Sequence, residues 1–206
     1  MGDNTEQGRK GAGRHGGYFS FVPFPLSPLR LLLLTLLLLS PPARPAEGTP
    51  RSEYEVKAAL LFKFVRYSDW PSTAFADAAS PCVIGVAGRD PLGKELEKAF
   101  EGKSVKGRAF LLKRVSGEQE MRACHLLFIA SSERRRMRDW LQKIQGAPVL
   151  TVGESPEFLD HGGVINLILK DGSVRFDINL EPARMARLKL DANLLKVAAS
   201  VRGKHE

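Results

Sequence analysis

Between residues 53 and 70 the apolar side chains Tyr54, Ala58, Leu61, Phe62 and Val65 recur at helical spacing, the stripe of an amphipathic helix. Pro71 stops it, and the small, polar stretch 72–80 reads as a loop. Short apolar runs then alternate with helical segments. The pattern predicts strands over 83–86, 109–112, 126–129 and 149–152, and helices over 92–100 and 133–144. Such alternation argues for a mostly parallel sheet with helices on both faces, a three-layer α/β fold. A helical turn over 156–159 leads into Gly162 and Gly163. Runs 164–169 and 174–178 are joined through Asp171 and Gly172, a hairpin signal that adds an antiparallel C-terminal edge. A short extended piece over 188–190 and a helix over 193–201, carrying Leu194, Leu195, Ala198 and Val201 on one side, close the chain.

The nine-residue run LLLLTLLLL at 31–39 follows Arg30 and precedes Ser40, Pro41 and Pro42. This is the layout of a secretory signal peptide, and it is too short to span a bilayer core of about 30 Å. Residues 1–46 are therefore expected to be a leader, cleaved after Ala43 or Ala46. A linker over 47–53, one domain over 54–202 and a tail over 203–206 follow. Of the 206 residues, 43% are hydrophobic and 26% charged, enough apolar material for a real core. The net charge is +8, but five of the 31 basic and two of the 23 acidic residues precede residue 47, leaving +5 on the rest. A nucleic-acid binder would carry a denser basic stripe, so no nucleic-acid partner is expected.

Candidate chemistry is sparse. Gly88 to Lys94 matches GxxxxGK after a strand, but Glu95 stands where a phosphate loop needs Ser or Thr, and Pro91 lacks an N–H. Asp90 and Pro91 read better as the cap and first residue of a helix. The four histidines show no ligand spacing and no serine sits in a nucleophile elbow, so neither metal, cofactor nor catalytic residues are expected. His125 beside Cys124 points to the opposite face of a strand, which argues against a Cys–His nucleophile. Cys82 and Cys124, the two cysteines, each stand just before a predicted strand. In an exported domain they are expected to form a disulfide worth about 4 kcal/mol, with two buried free thiols as the alternative. Arg134, Arg135, Arg136 and Arg138 open a helix, where the dipole disfavours cations; they read first as a solvated surface, with Arg134, Arg135 and Arg138 as a candidate surface for an acidic partner. A doubly wound sheet also offers a crevice at its carboxyl edge, here around Gly88, Arg89, Ala130 and Ser131.

Several blocks fall in a familiar order. They are VKAALLFKF from Val56 with Trp70 and Pro71, CVIGV from Cys82 with DPLG from Asp90, and CHLLFI from Cys124 with Ser132 and Glu133. GGVINL from Gly162, FDIN from Phe176 and LLKVA from Leu194 complete the series. Together, from about residue 54 to 201, they resemble the YfiR-like family of bacterial periplasmic proteins. Where some members of that family carry a second cysteine pair, this chain has Phe158, Leu159, Asp160 and His161. The resemblance implies a non-enzymatic regulator that binds and represses an inner-membrane diguanylate cyclase, controlling cyclic di-GMP and biofilm. It also implies homodimerisation, with the first and last helices as packing or dimer surfaces, and a disulfide-dependent, redox-responsive fold. A periplasmic small-ligand sensor using the crevice remains the alternative, and an enzyme the remoter one.

Overall fold

The computed structural model describes residues 52–203, so the expected leader with its cleavage positions, most of the linker and residues 204–206 lie outside the described residues. The last linker residues belong to the first helix: Ser52 Oγ accepts from Glu55 N at 3.2 Å and caps α1, Glu53–Arg66. Glu53 and Glu55 lie in its first turn and Lys63 and Arg66 in its last, each complementing the helix dipole. The chain continues through β1 (Ser68–Asp69), a 3-10 turn (Ser72–Ala74) and β2 (Cys82–Ala87). Next come α2 (Gly93–Phe100), β3 (Ser104–Val105), β4 (Arg108–Val115) and α3 (Glu118–Arg122). Then follow β5 (Leu126–Ile129), a 3-10 turn (Ser131–Glu133), α4 (Arg134–Lys143), β6 (Leu150–Gly153), β7 (Ile165–Lys170) and β8 (Ser173–Asn179). The last elements are α5 (Leu180–Met185), β9 (Lys189–Leu190), α6 (Ala192–Val197) and β10 (Ser200–Arg202).

Eight strands form one sheet in the order β10-β8-β7-β6-β5-β2-β4-β3. From β4 to β7 every neighbour is parallel, whereas β8 returns antiparallel to β7 through the Asp171 and Gly172 turn, both at positive φ. The expected mixed sheet is therefore observed. Its parallel part reverses direction of growth between β2 and β5, the switch point of a doubly wound sheet. One face packs α1 and α2, with Ala58, Leu61, Phe64, Leu96 and Phe100 buried against Ile84, Leu126, Phe128 and Leu150. The other packs α3 and α4, with Met121, Met137, Trp140 and Leu141 against Leu127 and Ile129. Each fully buried large side chain contributes roughly 1.5–3 kcal/mol of transfer free energy, so these two apolar layers hold the sheet between the helices.

Three local readings change. The expected C-terminal helix over 193–201 stops at Val197, and residues 200–202 become β10, parallel to β8. Ala199 N donates to Phe176 O at 2.8 Å, so β8's otherwise open edge captures a segment whose alanines favour helix. The turn at Lys106 and Gly107, both at positive φ, closes an unforeseen hairpin between β3 and β4. Lys is a poor signal for that backbone, which explains why the pattern missed it. Finally, β1 and β9 pair as a separate antiparallel ribbon.

Candidate functional site

The switch point brings together the four expected crevice residues. Ala130 N donates to Ala87 O at 3.0 Å as β5 leaves the sheet, placing Ser131 beside Gly88 and Arg89. The protein itself occupies much of the crevice, and a cleft of about 270 Å³ remains beside Gly88, walled by Val115, Glu133, Arg136 and Trp140. Arg89 N donates to Ser132 Oγ at 2.9 Å. Gly88, at φ +92°, leaves its side-chain space to Glu133, whose Cγ would lie 2.5 Å from an added Cβ. Ser131 N, the donor an incoming anion would use, is taken by Glu154 Oε1 at 3.0 Å.

Glu154 follows β6 and its other oxygen accepts from Lys57 Nζ at 2.7 Å; Lys57 also reaches Glu53 at 2.6 Å. Lys57 and Glu154 are 8% and 9% exposed at the side chain, so this pair is a buried tie between α1 and the switch point. Burial alone would raise the Glu154 carboxyl, but the hydrogen bonds from Lys57 and Ser131 outweigh it and hold it below the usual range. Lys57 is raised: burial works against its charge, and its two carboxylate partners prevail. No spacing in the sequence linked these residues, which lie 97 positions apart.

The expected arginine surface is only partly free. Arg134 forks onto Glu157, and Arg136 Nε donates to Glu133 at 2.7 Å while stacking over Trp140 at 4.7 Å. Arg135 and Arg138 are exposed and have no ion-pair partner among the described residues. Arg138 borders a cleft of about 370 Å³ at the amino edge of the sheet, whose walls include Leu141, Gln145, Thr151, His161 and Met185.

The structure does not bring the two cysteines together: both are free thiols. Cys82 sits inside β2 and packs with the α1 side of the core, whereas Cys124 packs with the α4 side. The backbone at Cys124 is still leaving α3, with its N–H donating to Met121 O at 3.1 Å, so its side chain falls on the opposite face from Cys82. There the absence of a side chain at Gly85 makes room for the sulfur, which would lie 2.4 Å from an added Cβ. Burial pushes Cys82 up to about 12 and Cys124 up to about 11, so neither is a thiolate at neutral pH.

Between them His125 locks the 72–80 loop onto the sheet. Its Nδ1 accepts from Val83 N at 2.9 Å, so the proton sits on Nε2, which donates to Ala74 O at 3.0 Å. Phe75 stacks on the ring at 4.1 Å, and Trp70 Nε1 donates to the His125 carbonyl at 3.0 Å. Arg108 lies over Phe75 and donates to Asp77 O and Ser80 O, both at 2.7 Å. Burial lowers the His125 pKa; the Ala74 hydrogen bond opposes this and the Arg108 charge reinforces it. The unfolded chain therefore takes up a proton near pH 6.5 that the folded chain refuses, so stability falls as pH drops below about 6.5 and levels only beneath the folded value. Urea midpoints at pH 7.5 and 5.5 should show this loss in the natural protein and a smaller one in His125→Asn. Equal losses in both would refute the assignment.

Among the described residues no group of three His, Cys, Asp or Glu is placed to hold a metal ion, and no helix is long and apolar enough to cross a membrane. A three-layer doubly wound domain whose switch-point donors are already taken by its own side chains defines the class of protein. Comparison with known proteins then gives the family: the sequence profile described as YfiR/HmsC-like matches residues 54–199, and the chain belongs to that family. The family is a regulatory one, periplasmic and associated with cyclic di-GMP signalling. A search of curated proteins returned no match. Among solved structures, a conserved domain protein from Vibrio cholerae O1 biovar El Tor superposes with a TM-score of 0.50 at 11% identity, over 73% of this chain and 60% of that one. The ABC domain bound to L-Trp from Streptococcus pneumoniae gives 0.47 at 10%, over 70% and 60%. The chain thus spans about 60% of the length of these structures, and the first of them supports the fold alone.

Proposed function

We propose that this protein is a non-enzymatic periplasmic regulator that binds a membrane-bound diguanylate cyclase and holds it inactive, its release raising cyclic di-GMP and favouring biofilm. The observation that carries the reading is the family match across residues 54–199, nearly all of the folded domain. The occupied donors of the switch point support it, because Ser132 and Glu154 already take the Arg89 and Ser131 N–H groups that a small anionic ligand would use there, and Glu133 takes the space at Gly88. Exposed Arg135 and Arg138 on α4 supply a surface for an acidic partner. Redox control through Cys82 and Cys124 is not part of this reading, since a bond between them requires one side chain to cross the sheet. The sensor alternative keeps two supporting observations: the 370 Å³ cleft beside Arg138, which falls within the size range of small-molecule sites, and the smaller cleft of about 270 Å³ beside Gly88.

Cellular cyclic di-GMP in the source bacterium tests the proposal. Deletion of the gene should raise it, the natural protein should restore it, and Arg135→Glu with Arg138→Glu should restore it poorly while the purified variant remains folded. Unchanged cyclic di-GMP on deletion would overturn the reading.

A further inference from the structure

We infer that the outer edge of β4 is a docking site for an extended partner strand that alternates apolar and acidic residues. The sheet ends differently on its two sides. At one side β10 presents only Ser200–Arg202, followed by Gly203 at φ +73°, where an added Cβ would lie 3.3 Å from Glu181 N. At the other, β4 is eight residues long, but β3 covers only its first two, pairing Val105 with Arg108 and Ser104 with Ala109. The edge beyond Phe110 is open.

The register settles which backbone groups are available. Arg108 faces Val105 across the two-residue turn, so its N–H and C=O point outward to β3. Alternation then turns the N–H and C=O of Phe110, Leu112 and Arg114 outward as well, while Ala109, Leu111 and Lys113 bond inward to β2. The Phe110 N–H faces Lys103 O, as the Ser104–Ala109 pairing requires, and the outward groups of Leu112 and Arg114 meet no strand among the described residues. Side chains alternate independently of this. Phe110 and Leu112 lie on the α1 face, half-buried against the core, whereas Leu111 and Lys113 lie exposed on the α4 face, Leu111 at 39%. Lys113 makes no ion pair among the described residues, its charge reaching Glu120 only at longer range, and Arg114 has a single 3.4 Å contact to Asp90.

These features select the occupant. A strand added here extends the ladder through Leu112 and Arg114, meets Phe110 and Leu112 with its own apolar residues on one face, and meets Lys113 with acidic residues on the other. Pairing with a second copy would bring Lys113 and Arg114 of both chains into one two-strand ribbon, and such cations on an edge work against self-association. The inference stands on this geometry and does not depend on the identity of any cyclase.

Amide hydrogen exchange on the folded domain, with a synthetic peptide of alternating valine and glutamate and its valine and lysine counterpart as probes, tests it. In the free protein the amides of Leu112 and Arg114 should exchange fast and those of Leu111 and Lys113 slowly. The glutamate peptide should slow the first two at least tenfold, the lysine peptide should not, and Lys113→Glu with Arg114→Glu should reverse the preference. Slow exchange of Leu112 and Arg114 without peptide, no protection by either peptide, or equal protection by both would overturn the proposal. So would protection that rises with protein concentration alone, which would assign the edge to a second copy.

Discussion

Phe158→Ala is expected to cost about 3–5 kcal/mol, read as a lower urea midpoint at unchanged slope. Phe158 is fully buried on the α4 side, and its backbone closes the turn before β7: its N–H donates to Ser155 O at 3.0 Å and its carbonyl accepts from Gly163 N at 2.9 Å. The ring lies in space vacated by two glycines. A Cβ on Gly153 would fall 2.2 Å from it and one on Gly163 2.1 Å. Gly163→Ala alone should therefore cost about 1–3 kcal/mol by overpacking. In the Phe158→Ala background the same methyl enters a cavity and should cost little or nothing. An equal cost of Gly163→Ala in both backgrounds would refute the proposed interlock.

Lys57→Met should be nearly as damaging, about 3–5 kcal/mol at pH 7, because it leaves the Glu154 carboxylate buried without its cation. Lys63→Met, on the exposed side of the same helix, provides the control and should be close to neutral. Adding Glu154→Gln to Lys57→Met should recover most of the loss, since an amide oxygen can still accept from Ser131 N without a net charge. The pH dependence has a definite sign. In the natural protein the lowered Glu154 contributes stability that is present above about pH 4.5 and is lost as pH falls through its folded value. The raised Lys57 contributes stability that is present below about pH 10.5 and is lost as pH rises through its folded value. Without Lys57, burial dominates and Glu154 protonates more readily, so the deficit of Lys57→Met should shrink between pH 7 and pH 5. A deficit no larger than that of Lys63→Met, or one that does not change with pH, would show that the pair carries no such weight.

The alternation of apolar runs was sufficient to read the α/β class, the parallel core and the antiparallel hairpin. The central strands β2, β5 and β6 are buried on both sides and so appear as short apolar blocks. Leu126–Ile129 was located to the residue for this reason, and Asp171 with Gly172 marked the hairpin because that pair tolerates the positive φ the turn requires. The family resemblance was legible for the same reason, its blocks being mostly those strands and their caps. Asp90 departs from its reading as a helix cap: its carboxylate accepts from Leu92 N at 2.9 Å and Gly93 N at 3.0 Å in a turn, and α2 begins only at Gly93 with Leu92 as its N-cap.

What the tertiary structure alone decided concerns partners distant in sequence. Whether Cys82 and Cys124 meet depends on the face each side chain takes, and that turns on the backbone leaving α3 and on the vacancy at Gly85. Whether the switch point is open depends on Glu154, Ser132 and Glu133 arriving there from other elements. The last residues became β10 because β8 offered unpaired backbone groups, a stronger claim on Ala199 than its helix propensity. Local pattern therefore determined which segments are strands and helices, since burial of one face is written in residue period. The pairing of charges, thiols and edges was set only when the folded sheet brought distant residues into contact, Lys57 and Glu154 across 97 positions among them, a separation that no local period encodes.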